Sequence, residues 1–199
     1  MVDKTIPHRH IIMRMDNPQP QKFTLPEGYT MDTYKDGDDI AWAKMEVYAG
    51  DFTDFDKALD YFQNTYLAKP EELQKRFVII RNSEGEGVCS CIAWNTNRKG
   101  QPCPALQWLV TAEGYEGLGL ASAAAAETVN RYCAIGEKPV YLHTQPWSYK
   151  ALWLYYKYGF RISKNDTFQI FVNQCDEALP ILETLLPPDK QIALRDLVD

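Results

Sequence analysis

The segment with the clearest chemical potential is residues 106–122, where a β-rich run, Leu106-Gln107-Trp108-Leu109-Val110-Thr111, meets three glycines and an alanine-rich stretch. The order is Ala112-Glu113-Gly114-Tyr115-Glu116-Gly117-Leu118-Gly119-Leu120-Ala121-Ser122. A strand, a glycine loop and a helix start leave unpaired backbone amides aimed at one point. Glycine lets a ligand approach the backbone closely, and the helix dipole favours an anion there. Pyrophosphate is the natural guest. A Walker A loop needs Lys-Ser/Thr after its last glycine, and Leu120-Ala121 follows here. A dinucleotide fingerprint needs a third glycine and a later acid, and Gly117-x-Gly119-x-x-Ser122 matches it poorly. Taken alone, the two glycines read first as a turn with a helix cap.

A second constellation lies in Trp147-Ser148-Tyr149-Lys150-Ala151-Leu152-Trp153-Leu154-Tyr155-Tyr156-Lys157-Tyr158-Gly159-Phe160. Ser148 is a good N-cap, and Ala151, Tyr155 and Tyr158 share one helical face. Most of these rings belong to a core. A phenol such as Tyr155 is also a suitable general acid for a departing thiolate.

The elements that must position these residues follow from pattern. A short strand fits 10–15 and another 29–34. Asp38 or Asp39 can cap a helix over 40–48 that Gly50 ends, and a second helix fits 53 or 54 to 67, with Pro70 after it. Residues 77–81 and 88–95 form a hairpin, 97–104 a loop, and 106–111 the next strand. An alanine-rich helix runs to about 133, a strand covers 139–144, and a helix covers 148–158. A final hairpin over 160–163 and 167–172 and two tail helices at 176–186 and 189–198 complete the pattern. That mixture argues α+β with one helical crossover.

These residues and this order resemble the GCN5-related N-acetyltransferase (GNAT) superfamily. Its acetyl-CoA loop, Gln/Arg-x-x-Gly-x-Gly/Ala, falls on Glu116-Gly117-Leu118-Gly119-Leu120-Ala121. Its later pattern, Asn-x-x-Ala-x-x-x-Tyr then Gly-Phe, falls on Ser148, Ala151, Tyr155 and Gly159-Phe160. The resemblance is strong over about 77–172 and weaker over 24–67. It implies a mixed, mostly antiparallel twisted sheet with flanking helices, splayed between the strands at about 106–111 and 139–144. Residues 24–175 would be the acyltransferase domain, 1–23 an N-terminal extension with an extra strand, and 176–199 a helical C-terminal extension.

The implied activity is an N-acetyltransferase that moves an acetyl group from acetyl-CoA to a primary amine by direct attack. Leu109, Val110 and Thr111 would line the pantetheine by their backbone, with an amide near Val110 polarising the acetyl oxygen. Amides from Glu116 to Ala121 would hold the pyrophosphate, Ser148 and Ala151 would belong to the cofactor wall, and Tyr155 would be the acid. Two residues depart from the family pattern. Glu116 replaces Gln or Arg, and a carboxylate repels pyrophosphate unless it points to water. Ser148 replaces Asn. A catalytically idle acyl-CoA-binding or regulatory module with the same fold is the competing reading.

The acceptor must lose a proton before it attacks, and Glu46, Glu113 and His143 are candidate bases. Residues 32–60 carry nine acids against Lys35, Lys44 and Lys57. An acidic rim would favour a cationic amine, although acids also serve as caps and solvated faces. A small-molecule or peptide amine is the implied partner.

A net charge of −6 with no basic run argues against nucleic acid. No stretch approaches the roughly 20 apolar residues of a membrane helix, and the first residues have no signal-like apolar run. Five scattered cysteines suit a reducing cytoplasm, and Cys89, Cys91 and Cys103 lack a fourth ligand for zinc. The tail helices would cover a sheet edge or make a homodimer contact, and the sequence leaves both open.

Overall fold

The structure is a computed structural model that describes residue 3 and residues 5–198. Its strands are β1 (Ile11–Met15), β2 (Thr30–Asp32), β3 (Phe77–Arg81), β4 (Gly87–Arg98), β5 (Gln101–Thr111), β6 (Val140–Thr144) and β7 (Arg161–Ile162). They form a seven-stranded sheet in the order β2-β3-β4-β5-β6-β1-β7, mostly antiparallel, with β5 and β6 parallel and paired at Ala105↔Tyr141. The helices are α1 (Asp38–Ala49), α2 (Phe55–Phe62), α3 (Pro70–Arg76), α4 (Leu120–Ile135), α5 (Tyr149–Lys157), α6 (Cys175–Leu185) and α7 (Pro188–Leu194). This is the α+β architecture that the element order predicts.

The chain divides into two compact units. The first holds Pro20–Trp94 and Leu106–Ala134. Its core is aromatic: Trp42, Phe62, Tyr66 and Phe77 are fully buried, and Tyr34, Trp94 and Val110 join them. Helix α1 presents Trp42 and Met45 to this core, and α2 presents Ala58 and Phe62. Each large side chain removed from water contributes about 1.5–3 kcal/mol, so this cluster is the main force holding α1 and α2 in place. Gly50 ends α1 in the left-handed conformation, with its amide returning to the carbonyls of Glu46 and Val47. Asp54 caps α2 by accepting the Lys57 amide at 2.9 Å.

The second unit holds the residues up to Gln19, Asn95–Ala105 and the chain from Ile135 onward. There β1 sits between β6 and β7, pairing Ile12 with His143 and Met13 with Ile162. Ile12, Cys103, Ala105, Tyr141 and Phe168 pack into one apolar cluster.

Six local expectations change. The expected loop over 97–104 is mostly strand, because Lys99 and Gly100 both take left-handed φ (52° and 82°) and make a two-residue turn. Pro102 and Pro104 stand two apart, so their missing amides fall on one edge of β5. Pro70 follows the helical run as expected but also opens α3, a further helix, since a first-turn residue has no amide partner to lose. The helix expected to reach residue 67 changes at Gln63–Leu67 into a wider π-turn. Gly37, not Asp38 or Asp39, is the N-cap of α1, because the Asp38 carboxylate is spent on Arg81 and on the Lys35 amide.

The expected final hairpin is reduced to β7 and a single bridge between Phe168 and Phe171. Asp166 is the reason. It accepts from Arg14, from Arg98 and from the Ser163 hydroxyl, which gathers 163–168 into a polar knot instead of a ladder. Likewise the last tail helix stops at Leu194, and Val198 instead bridges Ser163.

Candidate active site

In the first unit, β5 delivers the chain to a loop whose glycines are all left-handed: Gly114 at φ +81°, Gly117 at +80° and Gly119 at +84°. Left-handed backbone costs other L-residues about 1–2 kcal/mol, which explains glycine at these places. A Cβ built on any of the three would meet no atom within 4 Å, so the space next to each glycine Cα is open. Helix α4 begins at Leu120, which is buried, while Leu118 stands exposed. Gly119 already accepts the Ala123 amide through its carbonyl at 3.1 Å. Val110 is buried in the aromatic core, the Ala112 amide bonds the Val88 carbonyl at 2.8 Å, and Thr111 Oγ1 donates to Cys89 Sγ at 3.4 Å.

Glu116 is exposed, yet both of its oxygens are engaged. Its Oε1 accepts the Tyr48 hydroxyl at 2.7 Å, and its Oε2 accepts the Gly114 amide at 2.8 Å. The Tyr48 hydrogen bond, with backbone amides behind it, draws the Glu116 carboxyl below the usual range. Tyr48 lies on the side of α1 that borders a groove of about 610 Å³, with Lys44, Arg81, Glu86, Glu113 and Tyr115 around it. Arg81 is fixed there by a two-pronged pair to Asp38, both contacts at 2.8 Å. Glu113 therefore lies on the groove, and Glu116 is joined to it through Tyr48.

Glu46 lies elsewhere. Its carboxyl is fully buried, with the Asp51 side chain as its polar neighbour. Burial first, and the neighbouring Asp51 second, push its pKa well above the usual carboxylate range. The Trp42 indole N–H, four residues earlier on the helix, is equally buried, and is unpartnered. Near this pair runs a polar thread that the sequence did not disclose. Trp108 Nε1 donates to the Tyr66 hydroxyl at 2.7 Å, and Tyr66 donates to Gln107 at 2.7 Å. Trp108 takes φ +53° in the middle of β5, an uncommon state for a bulky residue. Its bond to Tyr66 and its packing on Trp42, Phe52 and Tyr61 hold it there.

In the second unit, Ser148 precedes α5 without capping it by its side chain; its hydroxyl instead accepts from Gln145 Nε2 at 3.0 Å. Ala151 and Tyr155 follow on one helical face, and Tyr155 is buried with its ring edge-on to Phe160 at 6.1 Å. The chain's three histidines meet in this unit. His10 Nδ1 and His143 Nε2 are 2.8 Å apart, His8 stands edge-on to His10 at 4.5 Å, and Phe171 stacks on His143 at 3.8 Å. Burial, then the neighbouring histidines, pull the His143 pKa down to about 4. Spacing gave a partial signal, since His8 and His10 are two apart and share a face of extended chain. Their union with His143, 133 positions away, did not show in sequence.

The cysteines are free, and Cys89 and Cys91 are buried, with burial pushing their thiols up to about 12. They behave as small apolar residues. Among the described residues no helix is long and apolar enough to cross a membrane.

Comparison with known proteins bears on this arrangement at two levels. The solved structures that resemble it include a GCN5-related N-acetyltransferase from Sphaerobacter thermophilus. It is 23% identical, with a TM-score of 0.57 over 78% of this chain and 49% of that one. A GNAT-family acetyltransferase from Colwellia psychrerythraea is 12% identical, with a TM-score of 0.58 over 77% of this chain and 53% of that one. An acetyltransferase from Streptococcus agalactiae is 14% identical, with a TM-score of 0.54 over 75% of this chain and 93% of that one. The chain thus spans about half the length of the first two, and at these identities the likeness is one of fold. No curated protein matches the sequence. The model of the acetyltransferase (GNAT) family matches residues 38–160, which include both the glycine loop and Tyr155. The chain belongs to the acetyltransferase (GNAT) family.

Proposed function

We propose that the chain transfers an acetyl group from acetyl-CoA to a primary amine by direct attack within a ternary complex. The observation that carries this reading is the loop itself: three left-handed glycines with open space beside them, leading into α4. Amides from Glu116 to Ala121 would receive the pyrophosphate. The backbone at Leu109, Val110 and Thr111 would accompany the pantetheine, and an amide near Val110 would stabilise the oxyanion. Ser148 and Ala151 belong to the same proposed wall, by their place in the family pattern.

The amine nitrogen forms the new bond to the acetyl carbon, and the carbon–sulfur bond breaks. Tyr155 supplies the proton that the coenzyme A thiolate takes on leaving. Of the proposed bases, Glu113 on the groove reaches solvent directly. Glu46 is held in its protonated form by burial and must first release that proton. The acceptor is a small-molecule or peptide amine. Residues 24–175 form the transferase domain in this reading, with the flanking segments as extensions, the tail helices as a candidate homodimer contact, and the cytoplasm as its place.

One observation favours the idle acyl-CoA-binding module instead: a carboxylate, Glu116, occupies an amide of the loop. Thermal unfolding with acetyl-CoA, ATP and NAD as parallel additions tests the reading. A ligand that binds only the native state raises the melting temperature by mass action. A rise with acetyl-CoA alone is expected, and no rise at millimolar acetyl-CoA would count against the cofactor.

A further inference from the structure

The loop assigned to pyrophosphate already contains an anion of its own. Gly114 donates its amide to one oxygen of Glu116, and Tyr48 donates its hydroxyl to the other. Both bonds run from a dipolar donor to a carboxylate, the stronger kind of hydrogen bond. The left-handed turn at Gly114 (φ +81°) belongs to the same short loop, and it leaves the amide directed at Glu116 two residues later. Tyr48 comes from α1, 68 positions away, so the carboxylate is held from outside the loop as well as from within. Helix α1 is itself fixed by Trp42 in the aromatic core, which makes Tyr48 a firm anchor.

We propose that Glu116, tied back to Gly114 and Tyr48, holds a fixed negative charge at the start of its own anion loop, so that a pyrophosphate group binds there against a like charge. The inference rests on the acetyl-CoA reading above and extends it to a residue that sets affinity and selectivity. A ligand with a pyrophosphate meets a fixed like charge. A ligand with only the acylated arm does not. Glu116 thus discriminates against the phosphate-bearing part of the donor, and Tyr48 sets the strength of that discrimination.

Calorimetric titration of the wild type, Glu116→Gln and Tyr48→Phe with acetyl-CoA, acetyl-pantetheine and inorganic pyrophosphate tests this. Glu116→Gln is expected to tighten acetyl-CoA and pyrophosphate about tenfold, since opposing like charges are costly and screened by salt. Acetyl-pantetheine binding stays unchanged. Tyr48→Phe tightens the two phosphate ligands by a smaller factor, because the charge remains but its anchor is gone. The double variant binds no more tightly than Glu116→Gln, since the two residues act through one contact. Structural damage weakens binding, so a gain in affinity is not explained by it. Unchanged or weaker acetyl-CoA binding by Glu116→Gln, with a wild type that binds, overturns the proposal. If acetyl-CoA binds none of the proteins, the acetyl-CoA reading falls. Pyrophosphate then decides the proposal: tighter binding to Glu116→Gln supports it, and no gain overturns it.

Discussion

Replacing Glu46 by glutamine should make the protein's stability less dependent on pH, and the size of the effect follows from the burial of this side chain. Glu46 is fully buried, and burial with the neighbouring Asp51 holds its folded pKa well above the ordinary 4.5. The native state therefore keeps a proton that the unfolded chain gives up as pH rises past about 4.5. A raised folded pKa contributes stability below the unfolded value, and that contribution is lost as pH climbs toward the folded value. Within that window the loss is about 1.4 kcal/mol per pH unit, against a typical total stability of about 5–15 kcal/mol. Glutamine cannot ionise. Burying its amide adds a constant term but no slope. Urea unfolding of wild type and Glu46→Gln at pH 5, 6, 7 and 8 should show the variant gaining on the wild type as pH rises above the unfolded value. Parallel stability curves, offset by a constant, would refute the claim that a protonated carboxyl is buried here.

Other consequences can be checked directly. Tyr155→Phe should lower acetyl transfer by about 10²-fold or more while leaving acetyl-CoA affinity within a factor of about two, because only the proton donor is lost; equal loss of binding and turnover would place Tyr155 in the wall and not in the chemistry. Gly119→Ala should destabilise the fold by about 1–2 kcal/mol, read from the urea midpoint, because φ is +84° there. Arg81→Ala should cost about 3–5 kcal/mol, since it strips the buried Asp38 carboxylate of its two-pronged partner. His143 has a folded pKa near 4, below the ordinary 6.5, so its contribution is complete above pH 6.5 and fades as pH falls toward 4. Thermal melts at pH 7 and pH 4.5 should differ less for His143→Gln than for the wild type.

The parts of this molecule that were legible in sequence are those fixed by short-range physics. Gly117 and Gly119 announced a left-handed loop before a helix, Gly50 the end of α1, and Asp54 the start of α2. The alternating run before the loop announced β5. What stayed hidden depends on contacts between distant residues. The side chain of Glu46 sits in a helix rich in acids and looks like a solvated charge until Trp42 carries that face into the core. Tyr48 acquires its meaning only beside Glu116, and His143 only beside His10. Asp166 lies between the two runs of the expected hairpin, but Arg14 and Arg98 claim it and dissolve that hairpin. Pro70 stands after an expected helix and Pro102 within an expected loop, and neither position announces a new element. A helix start at Pro70 and a strand edge at Pro102 and Pro104 are the settings where proline's missing amide costs nothing.

The central claim, transfer of acetyl from acetyl-CoA to an amine, is tested most directly by release of the coenzyme A thiol with a panel of primary amines. The account predicts thiol release that needs both acetyl-CoA and an amine, and that falls away in Tyr155→Phe. Tight binding of acetyl-CoA with no amine-dependent release for any class of amine would contradict it, and would mark the chain as an acyl-CoA-binding module that keeps the fold without the reaction.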